Sequence, residues 1–282
     1  MDMKDILGVS EPLCKLIETM QSGCSWIFKP NQIKRIAAVS SDVASLEANA
    51  DLKKSLKKAL AEDTINMTRT AREQRQFDNI VNIYADAARE LQIIDNIDKT
   101  PVDPDWSARF FDYAKDISNE EAQAVWAKIL AGEIVKPGSF FKRTLSVLRD
   151  IEPFEAKWFA EICQFVLADC LISSTCITQK LYRLNQLQSL MDCGLINSTA
   201  CQFILNEGET ELQGKTHSIR LLTSQMETPP RVSLFSIYTL TDAGIQLYRI
   251  TPAKSHQTYM TNLKEQIERQ YNIKAELIQI GE

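Results

Sequence analysis

Apolar and polar positions alternate most regularly between residues 118 and 159, where the pattern predicts a helical hairpin. Apolar side chains recur there at the three- and four-residue spacing that puts them on one face of a helix. The members of this face are Ala122, Val125, Trp126, Ile129 and Leu130. Ser118 and Glu121 form a capping box, in which each side chain bonds a backbone N–H group of the first turn. The first helix of the hairpin is therefore expected to begin at Ser118.

The second half of the hairpin follows from turn and cap signals. Gly132 is expected to end the first helix in the left-handed conformation, and Pro137-Gly138 predicts a turn. Ser139 is then expected to cap a second helix, whose apolar positions are Phe140, Leu145 and Leu148. Such a hairpin buries its tryptophan, and it contains no catalytic motif.

Residues 1–99 are predicted to form an N-terminal helical arm. The first helix has one apolar face, which is formed by Leu13, Leu16, Ile17 and Met20. A segment of this kind docks on a membrane or partner, or packs on the core, and the mixed charges of Lys15 and Glu18 favour the core. The absence of Gly and Pro over 32–99 indicates a long helix or a pair of helices reaching about Leu91, arranged as an extended hairpin or a coiled-coil-like arm.

Residues 100–172 are predicted to form a helical core. Asp103-Pro104 and Glu152-Pro153 repeat one pattern, in which a polar cap precedes a proline in the first turn of a helix. Aromatic-rich helices with short connections imply one compact bundle. Its tryptophans are expected in the core rather than at a ligand site; they are Trp106, Trp126 and Trp158.

Residues 173–282 are predicted to form a small C-terminal α+β module. A helix over 184–193 stops at Gly194, and Thr241 can cap a later helix. The remaining elements are β-like runs at 201–205, 217–223 and 232–239, a polar helix over 255–271 and a strand over 273–280. The chain is therefore expected to be mainly α, with a helical arm, a helical core and this α+β module.

The order of signals in this module resembles the later half of winged-helix domains of the MarR type. The resemblance covers about 65 residues and rests on a helix, the letters G-L-I at 194–196, strands, and L-T-D-A-G-I-Q-L at 240–247. A winged helix that binds DNA usually carries Arg and Lys on its recognition helix. The corresponding helix, 184–193, has no cation and ends near Asp192. This departure favours contact with a protein over the reading of DNA.

Composition and charge narrow the class of protein. Charged residues make up 24% and hydrophobic residues 44% of the chain, as in folded globular proteins, and the net charge of −5 argues against non-specific coating of nucleic acid. Seven cysteines without a C-x-x-C pair, and two distant histidines, predict no metal site. No apolar run approaches the ~20 residues that span a bilayer, and the N-terminus lacks a secretory signal. We expect a cytoplasmic protein without a transmembrane segment, a metal or a cofactor.

A cluster of cations lies between residues 53 and 75. It consists of Lys53, Lys54, Lys57, Lys58, Arg69, Arg72 and Arg75. The acids in the same stretch are Glu62, Asp63 and Glu73. A helix face that tracks nucleic-acid phosphates has this composition, and so does an ordinary solvated helix face. The cluster is therefore a candidate contact for nucleic acid or for a partner.

The sequence contains no phosphate-binding loop, dinucleotide fingerprint, zinc-protease helix or nucleophile elbow. Glu155 and Lys157 have the E-x-K spacing of metal-dependent nucleases, but both lie at a predicted helix start rather than on a strand. Arg249 and His256 have the spacing of all-helical RNases of the HEPN class, in which Arg stabilises charge and His transfers protons. Pro252 lies between them, however, so we assign no catalytic residue.

The hairpin also carries a resemblance to a known family. Its quoted segments are W-A-K-I-L-A-G-E (126–133), P-G-S (137–139), R-T-L (143–145) and E-A (155–156). They resemble the core of an uncharacterised bacterial family, and matching segments at 11–18, 29–37 and 240–244 extend the likeness over most of the chain. The resemblance implies an accessory protein of prophages or mobile elements, associated with defence against phage. It supplies no catalytic residues.

The polar residues of this motif have two interpretations. Glu133 and Arg143 lie on either side of the turn, so an ion pair that locks the hairpin is the simpler one. Alternatively, Glu133, Lys136 and Arg143 form a site for a partner or an anion beside the helix that Ser139 caps. The sequence supports both.

These observations favour a non-enzymatic interaction protein. We expect it to self-associate through its amphipathic helices, and to interfere with phage propagation by binding a replication component of the phage or host, either a protein or nucleic acid. One alternative is a DNA-binding regulator that uses the cation cluster and the C-terminal module. The other is an RNase toxin that uses Arg249 and His256.

Overall fold

The structure, a computed structural model, describes residues 10–25, 28, 30–41, 49–64, 71–199, 203–204, 208–222, 231–232 and 237–280. Helices dominate these residues, and their β-strands all lie after residue 165. A mainly α chain with a C-terminal α+β module is thereby confirmed. Contacts divide the chain into two units, 1–149 and 150–282. Among the described helices, none has the length and apolar content needed to cross a membrane.

The first unit is a set of helices that pack on one another. Its described helices are α1 (Glu11–Cys24), α2 (Pro30–Ser41), α3 (Asn49–Thr64), α4 (Ala71–Leu91), α5 (Pro104–Ala114), α6 (Glu120–Val135) and α7 (Lys142–Asp150). The stretch predicted as one long helix or a pair thus contains three helices in its described part. Helix α2 packs on α3, and α3 packs on α4.

The division of the chain into two units at 149/150 differs from the domain boundaries that the sequence predicts. Helix α1 packs on α5, and α4 packs along α6, so helices before residue 99 bury their apolar faces against helices after it. The observed division falls at 149/150, whereas the sequence places boundaries at 99/100 and 172/173.

An aromatic cluster lies at the centre of the first unit. Trp106 stacks on Phe110 with 5.1 Å between ring centroids, and Phe110 meets Trp126 edge-on at 5.2 Å. All three side chains are buried, and Trp106 also donates its indole N–H to the carbonyl of Phe140 at 2.7 Å. A buried indole needs such an acceptor. The core positions predicted for Trp106 and Trp126 are confirmed.

A buried amide network fixes α4 against α6. Gln123 donates to the side chain of Asn79 at 3.2 Å and to the carbonyl of Ile117 at 2.8 Å. Asn79 in turn donates to the carbonyl of Lys115 at 2.8 Å. A buried polar group that loses its partner costs about 1–3 kcal/mol. The network therefore specifies the register of α4 on α6.

The second unit combines helices and short strands. Its described helices are α8 (Pro153–Ile162), α9 (Thr175–Thr178), α10 (Leu184–Asp192), α11 (Asp242–Ile250) and α12 (Gln257–Tyr271). Its described strands are β1 (Val166–Leu167), β2 (Leu171–Ser173), β3 (Ile196–Thr199), β4 (Phe203–Ile204), β5 (Glu209–Gln213), β6 (His217–Leu222), β7 (Arg231–Val232), β8 (Ile237–Leu240) and β9 (Lys274–Gln279).

The described strand pairs are antiparallel. One sheet has the order β1-β2-β8-β3, another has the order β5-β6-β9, and β4 pairs with β7. In the first sheet, Tyr238 of β8 lies between Ile172 of β2 and Ser198 of β3. The tail strand that the sequence predicts is confirmed, since β9 pairs with β6 and places Ile278 opposite Ser218.

The N-cap of α6 differs from the predicted one. Asn119, rather than Ser118, accepts the backbone N–H of Ala122 at 2.9 Å. The hydroxyl of Ser118 instead accepts the side-chain amide of Asn79 at 3.2 Å. A contact from another helix thus replaces the local capping box.

Gly132 and Ser139, which the sequence predicts as a helix end and a helix cap, have other roles in the structure. Helix α6 passes through Gly132 and ends at Val135, and a Cβ on Gly132 would lie 2.8 Å from the ring of Phe140. Ser139 donates its hydroxyl to the carbonyl of Lys136, and α7 begins later. The glycine therefore makes room for a ring, and the serine stabilises the turn.

The close approach of α1 to α5 gives a stability prediction. A Cβ on Gly23 would lie 2.8 Å from the backbone carbonyl of Ser107 and 2.5 Å from the ring of Phe111. Gly23→Ala should therefore lower the free energy of unfolding by about 2–3 kcal/mol, although alanine is the better helix former by about 1 kcal/mol. Chemical denaturation measures the difference.

Gln21→Ala is the matched control, because Gln21 is exposed on the same helix. Its free energy of unfolding should stay within about 0.5 kcal/mol of the wild-type value. A Gly23→Ala protein as stable as the wild type would contradict the observed separation of α1 and α5.

Candidate binding groove

The second unit contains an open groove of about 580 Å³, bounded by α8, the turn after α9, the start of α10 and the segment before α12. Its walls carry cationic, aromatic and amide side chains. The principal wall residues are Lys157, Trp158, Glu161, Lys180, Tyr182, Arg183 and His256. Ligand sites commonly have volumes of about 300–1,000 Å³, so the groove is large enough to hold a ligand.

Glu155 fixes the first turn of α8, which forms one wall. Its carboxylate accepts the backbone N–H of Glu152 at 3.0 Å and the hydroxyl of Ser189, in α10, at 2.8 Å. Both oxygens are thus used to close the helix start and to hold α8 on α10. The E-x-K pattern of Glu155 and Lys157 lies on a helix, and the described residues contain no group of His, Cys, Asp and Glu side chains that could hold a metal ion.

Phe154 and Trp158 give α8 an aromatic surface. They are one helical turn apart, and their rings meet edge-on with 4.8 Å between centroids. Phe154 is 49% exposed, and the half-buried Trp158 lines the groove. The core position predicted for Trp158 is wrong, because α8 buries its other face, which carries Phe159 and Ile162.

The turn between α9 and α10 forms the opposite wall. Lys180 has a φ of 56°, and the next two backbone N–H groups donate to the carbonyl of Cys176 at 2.9 and 3.0 Å. Tyr182 is buried and donates its hydroxyl to the carbonyl of Trp158 at 2.8 Å. Burial raises the pKa of Tyr182 well above its usual range, so the hydroxyl stays a neutral donor. The turn is therefore tied to α8, with Lys180 and Arg183 beside the groove.

His256 contributes a hydrogen-bond donor of fixed orientation. Its Nδ1 accepts the backbone N–H of Tyr259 at 3.3 Å, as the N-cap of α12. Its ring stacks on Phe165 with 5.1 Å between centroids and 25° between planes. An accepting Nδ1 leaves the proton of a neutral imidazole on Nε2. The other ring nitrogen of His256 is therefore a donor.

Arg249 does not join His256 in the groove. Helix α11 ends at Ile250 and α12 begins at Gln257, so the two residues lie on either side of a connecting segment. Arg249 is exposed and lies outside the groove walls. The Arg–His pair that a HEPN-type RNase requires is not assembled at this groove.

The groove is a positive region within an acidic unit. Residues 150–282 contain 11 Lys and Arg side chains and 15 Asp and Glu side chains. The groove walls instead combine Lys157, Lys180 and Arg183 with one acid, Glu161. A local excess of positive charge attracts anions to this surface. The sequence pattern does not reveal Lys180 and Arg183 as site residues, because they lie just before α10, whose own residues include no cation.

The predicted cation cluster at 53–75 divides into paired and exposed side chains. Lys53 lies 2.8 Å from Asp86, and Lys57 lies 3.8 Å from Asp78, both acids being on α4. The exposed members are Lys54, Lys58, Arg72 and Arg75, while Arg69 lies outside the described residues. Helix α4 therefore neutralises part of the cluster, which makes it a weaker candidate for an anion than the groove.

Of the residues predicted to form a site at Glu133, Lys136 and Arg143, the structure buries only Glu133. Glu133 is buried, and its carboxylate accepts the backbone N–H groups of Gly138 at 2.6 Å and Phe140 at 2.9 Å. Burial raises the pKa of Glu133, and these hydrogen bonds oppose the shift. Lys136 and Arg143 are exposed, and Glu133 forms no ion pair with Arg143. Glu133 thus holds the turn.

Lys15 is a buried charge that the sequence placed on a polar face. Its ammonium donates to the carbonyls of Asp98 at 2.7 Å and Ile134 at 2.8 Å. Burial lowers the pKa of Lys15, while the negative charges of Asp98 and Glu133 oppose the shift. The side chain points inward because the carbonyls at the end of α6 have no partner within the helix.

The fold and the groove define a mainly helical protein with a C-terminal α+β unit that presents a positive, aromatic surface. The family model described as “Protein of unknown function (DUF2806)” matches residues 64–175, a segment that includes α4, the hairpin motif and α8. This match agrees with the resemblance of the hairpin motif to an uncharacterised family. Searches of curated proteins and of solved structures give no match.

The geometry of Glu133 gives a second stability prediction. Glu133→Gln should lower the free energy of unfolding by about 3 kcal/mol, because the amide NH2 is a donor and would face one of the two turn N–H groups that the carboxyl oxygens accept. Arg143→Gln should change this energy by less than about 0.5 kcal/mol. Urea denaturation measures both variants. Equal losses would instead support an ion pair between the two residues.

The raised pKa of Glu133 sets the sign of a pH effect. A carboxyl whose pKa is higher in the folded than in the unfolded state takes up a proton on folding. Its contribution to stability therefore increases as the pH falls through the folded pKa toward the ordinary value of 4.5. The stability advantage of the wild type over Glu133→Gln should be larger at pH 5 than at pH 7. Denaturation at both pH values tests this, and a smaller advantage at pH 5 would contradict it.

Proposed function

We propose that this chain is a non-enzymatic, cytoplasmic binding protein that acts against phage propagation by holding a replication component of the phage or host. The groove in the second unit supports this proposal, because it presents cationic and aromatic side chains at an accessible surface. The link to phage rests on the resemblance of the hairpin motif to an accessory family of prophages. We also propose that the chain self-associates through its amphipathic helices.

The side chains at the groove are of the types that dominate binding interfaces. Trp, Tyr and Arg supply a large share of the energy in such interfaces, where charged residues other than Arg are depleted from the centre. Trp158 and Arg183 line the groove, and the exposed Phe154 lies against Trp158. Leu184, next to Arg183, is 57% exposed. Single exposed apolar residues are common, but this group adjoins one groove and so supports a binding role.

A DNA-binding regulator is the second candidate, and one observation favours it. Helices α9 and α10 are followed by β3 and β8, which pair with each other, and β8 also pairs with β2. A winged helix has the same order of elements, two helices followed by an antiparallel strand pair. This order supports the resemblance to a winged helix that the segment 240–247 suggests. Helix α10 itself has no cation, so the reading of duplex DNA has less support than binding at the groove.

The proposal predicts that the groove is required for protection against phage. Tagged wild type should lower the number of plaques and co-purify with a replication component from infected cells. Lys157→Glu/Arg183→Glu should lose most of the protection and the co-purifying component, since it replaces two of the groove cations with acids. Plaque counts and mass spectrometry of the purified material, with and without infection, measure these effects.

Arg249→Glu/Arg269→Glu is the matched control, because it makes the same charge change at two exposed positions outside the groove. Nuclease treatment before purification separates a protein partner, which survives it, from a nucleic-acid partner, which does not. Equal protection by the wild type and the groove variant would contradict the proposal, and so would RNA or DNA cleavage by the pure protein. Sedimentation of the same samples tests self-association.

A further inference from the structure

We propose that the groove binds single-stranded nucleic acid, with phosphate groups held by Lys157, Lys180 and Arg183 and a base stacked on the aromatic surface of α8. The inference deepens the proposed function and rests on it only in using the same groove. The proposed ligand is a phosphodiester strand of a few nucleotides.

The three cations suit the phosphates of such a strand. Arg183 offers a planar fork of N–H donors, whereas Lys157 and Lys180 offer point charges that need no strict geometry. Lys157 comes from α8 and the other two from the opposite wall, so an anion in the groove can contact both walls. The hydrogen bond from Tyr182 to Trp158 sets the spacing of the walls before binding, which reduces the cost of ordering them.

The aromatic surface suits the bases. The rings of Phe154 and Trp158 meet edge-on, and Phe154 is 49% exposed, so α8 presents an aromatic surface to a base. Lys157 lies about one helical turn after Phe154 and lines the groove beside Trp158. Proteins that bind single strands combine stacking rings with a positive groove along the backbone. Helix α8 thus offers a cation and stacking rings to the same strand.

The groove also offers partners for the edges of bases. Gln164 and Gln186 provide amide donors and acceptors, His256 provides its Nε2–H, and Glu161 provides an acceptor. In a single strand the Watson–Crick edges are free to bond such groups, whereas a duplex hides them.

A duplex and a small molecule both fit the groove less well. Duplex binding depends on many phosphate contacts, but this unit has fewer basic than acidic residues and offers three cations at one place. Small-molecule sites bury about 70–90% of their ligand, whereas this groove is open to solvent. A short strand needs only a few phosphate contacts and tolerates exposure.

Fluorescence anisotropy with a labelled oligo(dT) of about 12 nucleotides tests the inference on the pure full-length chain. Lys157→Gln/Arg183→Gln should weaken binding at least about tenfold and reduce the slope of log affinity against log salt by about 1.4, since each phosphate contact contributes about 0.7 on a single strand. Phe154→Ala should weaken binding by about fivefold or more with an unchanged slope, because stacking involves no counterion release.

Arg249→Gln/Arg269→Gln is the matched control. It removes two charges from the same unit outside the groove, so affinity should stay within about twofold of the wild type, as expected for screened surface charges. Thermal melting of each variant verifies that it is folded. Phe154 is about half exposed, so its variant keeps the test valid if the double variant is unstable.

Equal affinity of the wild type and the Lys157→Gln/Arg183→Gln variant overturns the inference. The inference is also overturned if a duplex of the same length, or a polyglutamate peptide, binds the protein as tightly as the single strand does. If the pure protein binds no strand but protection against phage still needs the groove, the inference fails and the proposed function stands. If the strand binds through the groove but protection is absent, the inference stands and the proposed function fails.

Discussion

The buried end of α6 is the constraint on which the first unit depends. A helix end leaves carbonyl groups without partners, and the turn that follows exposes N–H groups, so burying both requires charged or polar side chains. Glu133 accepts two N–H groups of the turn, and Lys15 donates to the carbonyls of Ile134 and Asp98. Each charge lowers the cost of burying the other. Because Lys15 and Ile134 are 119 positions apart, this solution joins α1 to α6 across most of the unit.

The cations of the groove are in a different environment from Lys15. The backbone of the opposite wall is held by the carbonyl of Cys176 and the hydroxyl of Tyr182, and the start of α8 is held by Glu155. The walls therefore keep their positions without help from Lys180 or Arg183, which are exposed. A charged side chain that the fold does not use is available to a ligand, whereas Lys15, with two buried acceptors, is not.

Local signals predicted structure well, and contacts between distant segments escaped prediction. Asp103 and Thr241 cap their helices as expected, because the bonded N–H group lies two or three residues away. Ser118 did not cap α6, since its hydroxyl bonds a side chain 39 positions earlier. The helical spacing of α1 predicted Lys15 on a polar face, but its ammonium is buried, where it donates to a carbonyl at the end of α6. The groove was not predictable for the same reason, because its walls come from three separate segments that only the fold brings together.

The segment that the family model matches covers only part of the groove. The matched segment, 64–175, contains Glu133 with its turn and the aromatic wall of α8, but it stops before Lys180 and Arg183. Stacking on aromatic rings tolerates any base, whereas the position of phosphate-binding cations sets the path of a strand. For the proposed strand, the residues after 175 would therefore set the path of the backbone, whereas the aromatic wall of α8 would stack the bases.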